Sequence, residues 1–309
     1  MTTPITTHSI HDGVKFSVSE LLGMPELFIK PILEYLTEWD LVSAIFEDVG
    51  DNNGSIAYEK DVAPFTVDGL ETIAEFAEYP STLPVSAGKI VAAAEKEGRW
   101  LDISYEMRDE NKVDQVNRSL TQFRNAAAYS NYERLKSVLE KSDIGTVAAA
   151  AGWRTSDADI FGDTDKAIEK IADAEIPDVV QSEATYGFDP TAMVVPRSLA
   201  SSFIKTEELR SAYEGNLDNT NPVFAGYKGV TARGFNGLQI IIPKFWYKDR
   251  ILVFDENNKP GLVSHTNRLG MTGPFDEPRH DKVGYKLSQK RVLAVHNPKA
   301  AAWITGIKG

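Results

Sequence analysis

The chain has 309 residues, 33 of them basic and 45 acidic, for a formal net charge of -12. Charge of that sign disfavours holding nucleic acid by phosphate neutralisation, and the absence of cysteine excludes disulfides, thiolate metal sites and cysteine nucleophiles. With 42% hydrophobic and 25% charged residues, the chain should fold into two lobes or into one core with long extensions.

Met1 to Glu20 mixes Thr, Ser, His and Asp with isolated apolar residues, which reads as an extended arm. From Pro25 to Val49, Leu27, Phe28, Ile32, Leu33, Tyr35, Leu36, Trp39, Val42 and Phe46 recur at helical spacing. One or two short helices are predicted, kinked or bounded at Pro31. Gly50-Asp51-Asn52-Asn53-Gly54 signals a turn, and short extended pieces follow around Ile56, Tyr58, Phe65 and Val67, with Pro64, Pro80 and Pro84 among them. This predicts a long hairpin-like excursion. Roughly forty residues without a core face need an external surface to bury against, which suggests a subunit contact.

At Asp102-Ile103-Ser104 a strand gives way to a helix, with Ser104 as N-cap. Val113, Val116, Leu120, Phe123 and Ala127 step by three and four, and Tyr132, Leu135 and Leu139 continue after a slip. One stripe of about nine turns, packed on a sheet, is expected. Beyond Gly145 the pattern predicts a helix over 165–174, a strand at Ala192–Val195 and a helix starting at Pro196. A loop punctuated by Gly226, Gly229, Gly234 and Gly237 leads into a strand at Leu238–Ile242. Strands follow at Ile251–Phe254, Val283–Leu287 and Arg291–Val295. This is an α+β order, and no Gly, Ser or Pro-rich linker divides it, so the lobes should be interwoven. No run approaches the ~18 apolar residues of a membrane span, and the polar start lacks the order of a signal peptide, so synthesis in the cytoplasm and no membrane partner are expected.

Little here carries chemistry. The aspartates Asp157, Asp159, Asp163 and Asp165 resemble a calcium loop, but Phe161 stands where a fifth-position oxygen is needed and Ile168 where a bidentate glutamate is needed. The better reading is a loop in which Asp163 or Asp165 caps the following helix. His8, His11, His265, His280 and His296 have no metal-site spacing, and the glycines lack a phosphate-cradling pattern. Ser198, Ser201 and Ser202 lie in no nucleophile elbow. His265 and His280 with Asp276 and Asp281 could form an acid-base cluster, and the enzyme alternative is a soluble hydrolase using Asp or Glu with His265 or His280. No catalytic, cofactor-binding or metal residue is assigned, and no cofactor is expected.

Several segments carry a resemblance, in order along nearly the whole chain. They are Ala74-Glu75-Phe76-Ala77-Glu78-Tyr79-Pro80-Ser81, Lys89 to Ser104, Gly187 to Pro196, Phe235 to Pro243 and Arg291 to Trp303. Together they resemble the major capsid proteins of tailed double-stranded-DNA phages, whose fold is shared by encapsulins. The resemblance implies an N-terminal arm (1–24), a helical segment (25–49) and an extended β-hairpin loop (50–99). It implies a peripheral domain with a long spine helix (100–145), an axial domain (146–264) and return strands of the peripheral domain (265–309). It further implies a non-enzymatic subunit of a virion capsid, assembled in the host cytoplasm as hexamers and pentamers of an icosahedral head enclosing the genome. The partners implied are other copies, a portal, a separate scaffolding protein, cement proteins, and packaged DNA through weak non-specific contact. Some relatives cross-link a loop lysine to a peripheral-domain asparagine; Met271 to His296 contains none, so no such cross-link is expected from Lys60, Lys89 or Lys96. An encapsulin-type nanocompartment shell is the nearest alternative.

Overall fold

The computed structural model describes residues 17–38, 40–65, 72–79, 81, 88–155, 157–176, 184–199 and 231–308. The arm reading is corrected at its end: Ser17 accepts from the Glu20 amide at 3.2 Å while Glu20 accepts from the Ser17 amide at 2.8 Å. That capping box starts helix α1 (Val18–Gly23); residues 1–16, with His8 and His11, lie outside the described set. Helix α2 (Glu26–Glu38) runs through Pro31 rather than stopping there, and α3 (Val42–Ile45) follows. Trp39 lies outside the described residues.

Phe46 keeps helical spacing in sequence but opens strand β1 (Phe46–Asp51). A distant partner overrides the local pattern. The buried ring lies where a side chain at Gly261 would sit, with a Cβ there only 2.4 Å from Phe46 Cδ1. Gly261 begins β10 (Gly261–Glu277), the parallel neighbour of β1. β10 pairs antiparallel with β11 (Lys282–Val295), and β11 pairs antiparallel with β4 (Glu95–Ser104), giving a four-stranded sheet ordered β1-β10-β11-β4. The two short strands expected at Val283–Leu287 and Arg291–Val295 are therefore one, because β10 pairs with it from Lys282 to Val295 and β4 from Lys282 to Arg291. Between β1 and β4, β2 (Ser55–Glu59) and β3 (Lys89–Ala93) form a separate two-stranded hairpin. Phe65 lies outside any strand, and Val67, Pro80 and Pro84 lie outside the described residues.

Ser104 accepts from the Met107 amide at 3.2 Å, as its N-cap position predicts, but the helix it starts is short. Helix α4 (Tyr105–Asp109) ends before Asn111, whose φ of 51° breaks the run, and the long helix α5 (Val113–Glu140) begins afresh with 28 residues. At 1.5 Å per residue it is about 42 Å long. Val116, Leu120, Phe123 and Ala127 pack with α1, α2 and the inner face of β4, β10 and β11, while Leu135 and Leu139 enter a second core. The apparent slip marks the passage between cores: Asn131 occupies the stripe position between Ala127 and Leu135.

The second core backs onto a six-stranded sheet ordered β5-β12-β9-β6-β8-β7. Its strands are β5 (Gly145–Ala148), β6 (Ala192–Val194), β7 (Thr231–Phe235), β8 (Leu238–Ile241), β9 (Arg250–Phe254) and β12 (Ala301–Thr305). Asn236 and Gly237, with φ of 51° and 77°, close the β7–β8 turn as a primed hairpin requires. Helix α6 (Ile160–Ala172) covers the opposite face with Trp153, forming a third core. The segment 265–309, read from resemblance as belonging to one domain, divides between the sheets, since β12 pairs with β5 and β9. Of the helix expected from Pro196, the described part is a turn in which the Leu199 amide donates to the Pro196 carbonyl at 2.9 Å. Gly226 and Gly229 lie outside the described residues.

Candidate assembly surfaces

The β2–β3 hairpin is fixed at both ends of β2, and among the described residues beyond it two aromatic side chains are exposed. Asn52 does most of the fixing. Its Nδ2 donates to Ser264 Oγ at 2.8 Å, and its Oδ1 accepts from Thr266 Oγ1 at 2.6 Å and from the Gly54 amide at 2.7 Å. Its own amide donates to the His265 carbonyl at 2.8 Å, so one side chain and one peptide tie the turn to β10. The far end of β2 is held as well: Lys60 pairs with Asp143 below α5, and the Asp61 amide donates to the His296 carbonyl at 2.9 Å. Burial raises the Asp61 carboxyl above its usual range.

Past this base, Phe76 is 98% and Tyr79 is 82% exposed. Residues 62–88 contain Asp68, Glu71, Glu75 and Glu78 and no basic residue. Large aromatic side chains left bare at the end of an excursion mark an interaction site in a folded protein.

The sequence candidates for chemistry are used structurally. Asp159, rather than Asp163 or Asp165, caps α6, accepting from the Gly162 amide at 2.8 Å. Asp163 is fully buried and accepts from Trp153 Nε1 at 3.0 Å and from the Ala150 amide at 2.9 Å. Asp165 accepts from Asn236 Nδ2. The expected helix over 165–174 starts earlier because this aspartate-rich turn already satisfies its amides. Among the described residues no group of three or more His, Asp or Glu could hold a metal. The Ser198 carbonyl accepts from Arg154 Nη2 at 3.0 Å, and Ser201 and Ser202 lie outside the described residues.

The acid-base cluster required His265 and His280 to meet with Asp276 and Asp281. They do not. His265 stands opposite Arg291 near one end of β10, whereas His280 follows the other end, where its Nδ1 lies 3.5 Å from Glu277 Oε2. Roughly 35–40 Å of extended strand separates them. Asp276 accepts from Tyr105 Oη, and Asp281 occupies a left-handed turn, so no acid-base cluster forms.

Two histidine environments are half-buried. His265 and His296 each have an Nδ1 without a partner among the described residues, and burial lowers both pKa values below the usual 6.5. The unfolded chain then binds protons below about pH 6.5 that the folded chain resists, so stability is full above that pH and declines as pH falls toward the folded values. The urea midpoint is expected to fall between pH 7 and pH 5, and to fall less in a His265→Gln/His296→Gln chain. An identical pH slope in both proteins would refute this.

A family model described as phage capsid protein matches residues 88–304, well over half of the chain. The chain belongs to the phage capsid protein family. A search of curated proteins finds no match. Solved structures share the fold at low identity. A virus-like particle from Pyrococcus furiosus aligns at 12% identity and TM-score 0.55, covering 90% of this chain and 98% of that one. A phage-related protein from Bordetella bronchiseptica RB50 aligns at 12% and 0.55, covering 90% and 97%. The capsid of Myoviridae phage XM1 aligns at 11% and 0.56, covering 87% and 92%. As a phage capsid protein the chain is a structural, non-enzymatic component of a virion capsid. The α+β architecture agrees with the resemblance seen in the sequence.

Sequence reasoning passed over Asn52, Asn131 and Arg291. The last two left a signal, as polar residues where a helical stripe and a strand run call for apolar ones; Asn52 looked like one more turn residue.

Proposed function

We propose that this capsid protein is the major head subunit of a tailed phage, assembling as hexamers and pentamers into an icosahedral shell around double-stranded DNA. The observation that carries this reading is the hairpin, pinned at its root by Asn52 and bare at Phe76 and Tyr79. Such an element lowers its free energy by lying on another copy, and a contact joining different patches of identical chains closes into rings when the rotation permits. The net charge of -12 suits a container that releases its contents, because DNA held through many phosphate contacts would not slide. A portal, a separate scaffolding protein and cement proteins complete the proposed partners, and assembly takes place in the host cytoplasm.

Electron microscopy of the chain, expressed alone and with its neighbouring genes, tests the reading. Closed particles or capsomer rings are expected, with DNA in native heads and a single monomer band on a denaturing gel. A persistent monomer in every condition would sink the shell reading, and particles filled with an enzyme would make the chain an encapsulin-type shell instead.

A further inference from the structure

Arg124 on α5 is a buried charge without a counter-charge. Only 7% of its surface is exposed, its Nε is enclosed without a hydrogen-bond partner, and among the described residues it forms no ion pair. Its guanidinium carbon lies 4.6 Å from the centroid of the Tyr35 ring. A guanidinium taken out of water ordinarily meets carboxylates or carbonyls, because desolvation costs more than a ring face returns. Arg291 follows that rule, with Asp40, Glu97 and Asn131 around it. Arg124 does not.

A second cation joins it. Lys244, from the connection between β8 and β9, donates through Nζ to Tyr35 Oη and, at 2.8 Å, to Asn125 Oδ1, while Tyr35 Oη donates to Asn125 Oδ1 at 2.9 Å. These neutral acceptors hold the ammonium beside the same tyrosine and leave its charge uncompensated, since Lys244 forms no ion pair among the described residues either. Arg118 and Gln122, both exposed, share a helix face with Asn125 at a spacing of four and then three residues, so nitrogen donors extend about 10 Å along α5. From Gln115 to Tyr132 the helix carries no carboxylate, although the chain has 45 acidic residues against 33 basic ones. The stretch ends at Glu133, which accepts from the Tyr129 hydroxyl.

We propose that Arg124, Lys244 and Asn125, extended by Arg118 and Gln122, bind backbone phosphates of the packaged duplex. The inference rests on the reading of the chain as a shell around double-stranded DNA, and it assigns this face of α5 to the interior. Arg, Lys, Asn and Gln donors are the side chains that contact phosphates without reading bases, and a backbone presents phosphates in series, whereas a single carboxylate would satisfy one cation only. A phosphate arriving at Arg124 supplies the charge-assisted hydrogen bonds that the fold withholds. Three cations neutralise few phosphates, so the contact is weak and salt-sensitive, and the acidic remainder of the chain leaves the duplex free to slide.

Anisotropy of a labelled duplex of about 20 base pairs, titrated with the full-length chain between about 50 and 200 mM salt, tests the site. Three phosphate contacts predict an affinity loss of about fortyfold over that range, and Arg124→Met/Lys244→Met should reduce the loss to about fourfold. Methionine keeps the apolar stems and removes an uncompensated buried charge, so the urea midpoint should hold or rise; a side chain present for packing alone would lower it. If R124M/K244M does unfold at a lower midpoint, the exposed change R118Q carries the test, with an expected loss of about twelvefold. Equal salt dependence in wild type and variants would overturn the site. Inorganic phosphate that raises the wild-type midpoint while the duplex fails to bind would make the occupant a free ion, and polyglutamate bound more tightly than the duplex would make it an acidic protein segment; either overturns the genome as occupant. Particles formed by a chain without duplex affinity overturn the site and leave the shell reading standing. A chain that forms no particles fails as a shell subunit, and the assignment of this face to an interior fails with it.

Discussion

Replacing Arg291 by methionine is expected to lower the unfolding free energy by about 3 kcal/mol, read as a lower urea midpoint with an unchanged slope. Arg291 is the positive centre of the polar joint between the first two cores, and its side chain is 3% exposed. Its Nη2 donates to Asn131 Oδ1 at 3.1 Å and lies 3.7 Å from Glu97 Oε2, while Nη1 lies 3.6 Å from Asp40 Oδ2. Gln289 Nε2 donates to Glu97 at 2.6 Å and to Asn131 at 2.8 Å, joining β11, β4 and α5 through the same group of atoms. Removing the guanidinium leaves Asp40 without its buried counter-charge and Glu97 with only Arg134, 3.7 Å away. Asp40 and Glu97 retain 27% and 29% exposure, so water offsets part of the loss, which places the effect at the low end for broken buried pairs. Replacing Asp40 by asparagine in the same chain should recover part of it, because the carboxylate left without a counter-charge goes. A change smaller than about 1 kcal/mol in R291M would show that the joint is solvated and the packing of α5 alone holds the cores together.

The second large effect should appear only on assembly. Phe76→Asp/Tyr79→Asp is expected to leave subunit stability within about 0.5 kcal/mol, since both rings are exposed in the isolated chain. Buried aromatic anchors at an interface are worth roughly 2–4 kcal/mol each, so the same variant should shift sedimentation from particles to free subunits or small rings. Every subunit carries the change, and the deficit repeats at every copy around the shell. Particles forming at wild-type concentration would mean that the hairpin tip is not a contact, and would redirect attention to the six-stranded sheet.

Much of this was legible beforehand where a few neighbouring residues decide the outcome. Ser104 could be read as a cap because its hydroxyl needs only the amide of Met107. The stripe Val116, Leu120, Phe123 and Ala127 announced a long buried helix, and the apolar run Ile251 to Phe254 announced a fully buried strand. The excursion after Gly54 was legible as a stretch lacking a core face, although its partner was not. β10 escaped notice because Ser264, Thr266, Asn267 and Arg268 interrupt its apolar residues. It is a strand because β1 and β11 accept and donate along its two edges.

Composition and local pattern by themselves determined that the chain is an α+β, cysteine-free, acidic protein with a long helix, a hairpin in need of a partner and no catalytic motif. Those properties follow from side-chain chemistry and from hydrogen bonds spanning three or four residues. Only the tertiary structure decided that Phe46 is a strand residue, that β11 is continuous, that β12 crosses to the other sheet, and that His265 and His280 lie far apart. Each depends on register between strands far apart in the chain. A one-residue slip would move every side chain to the opposite face, and no local window of sequence records that register.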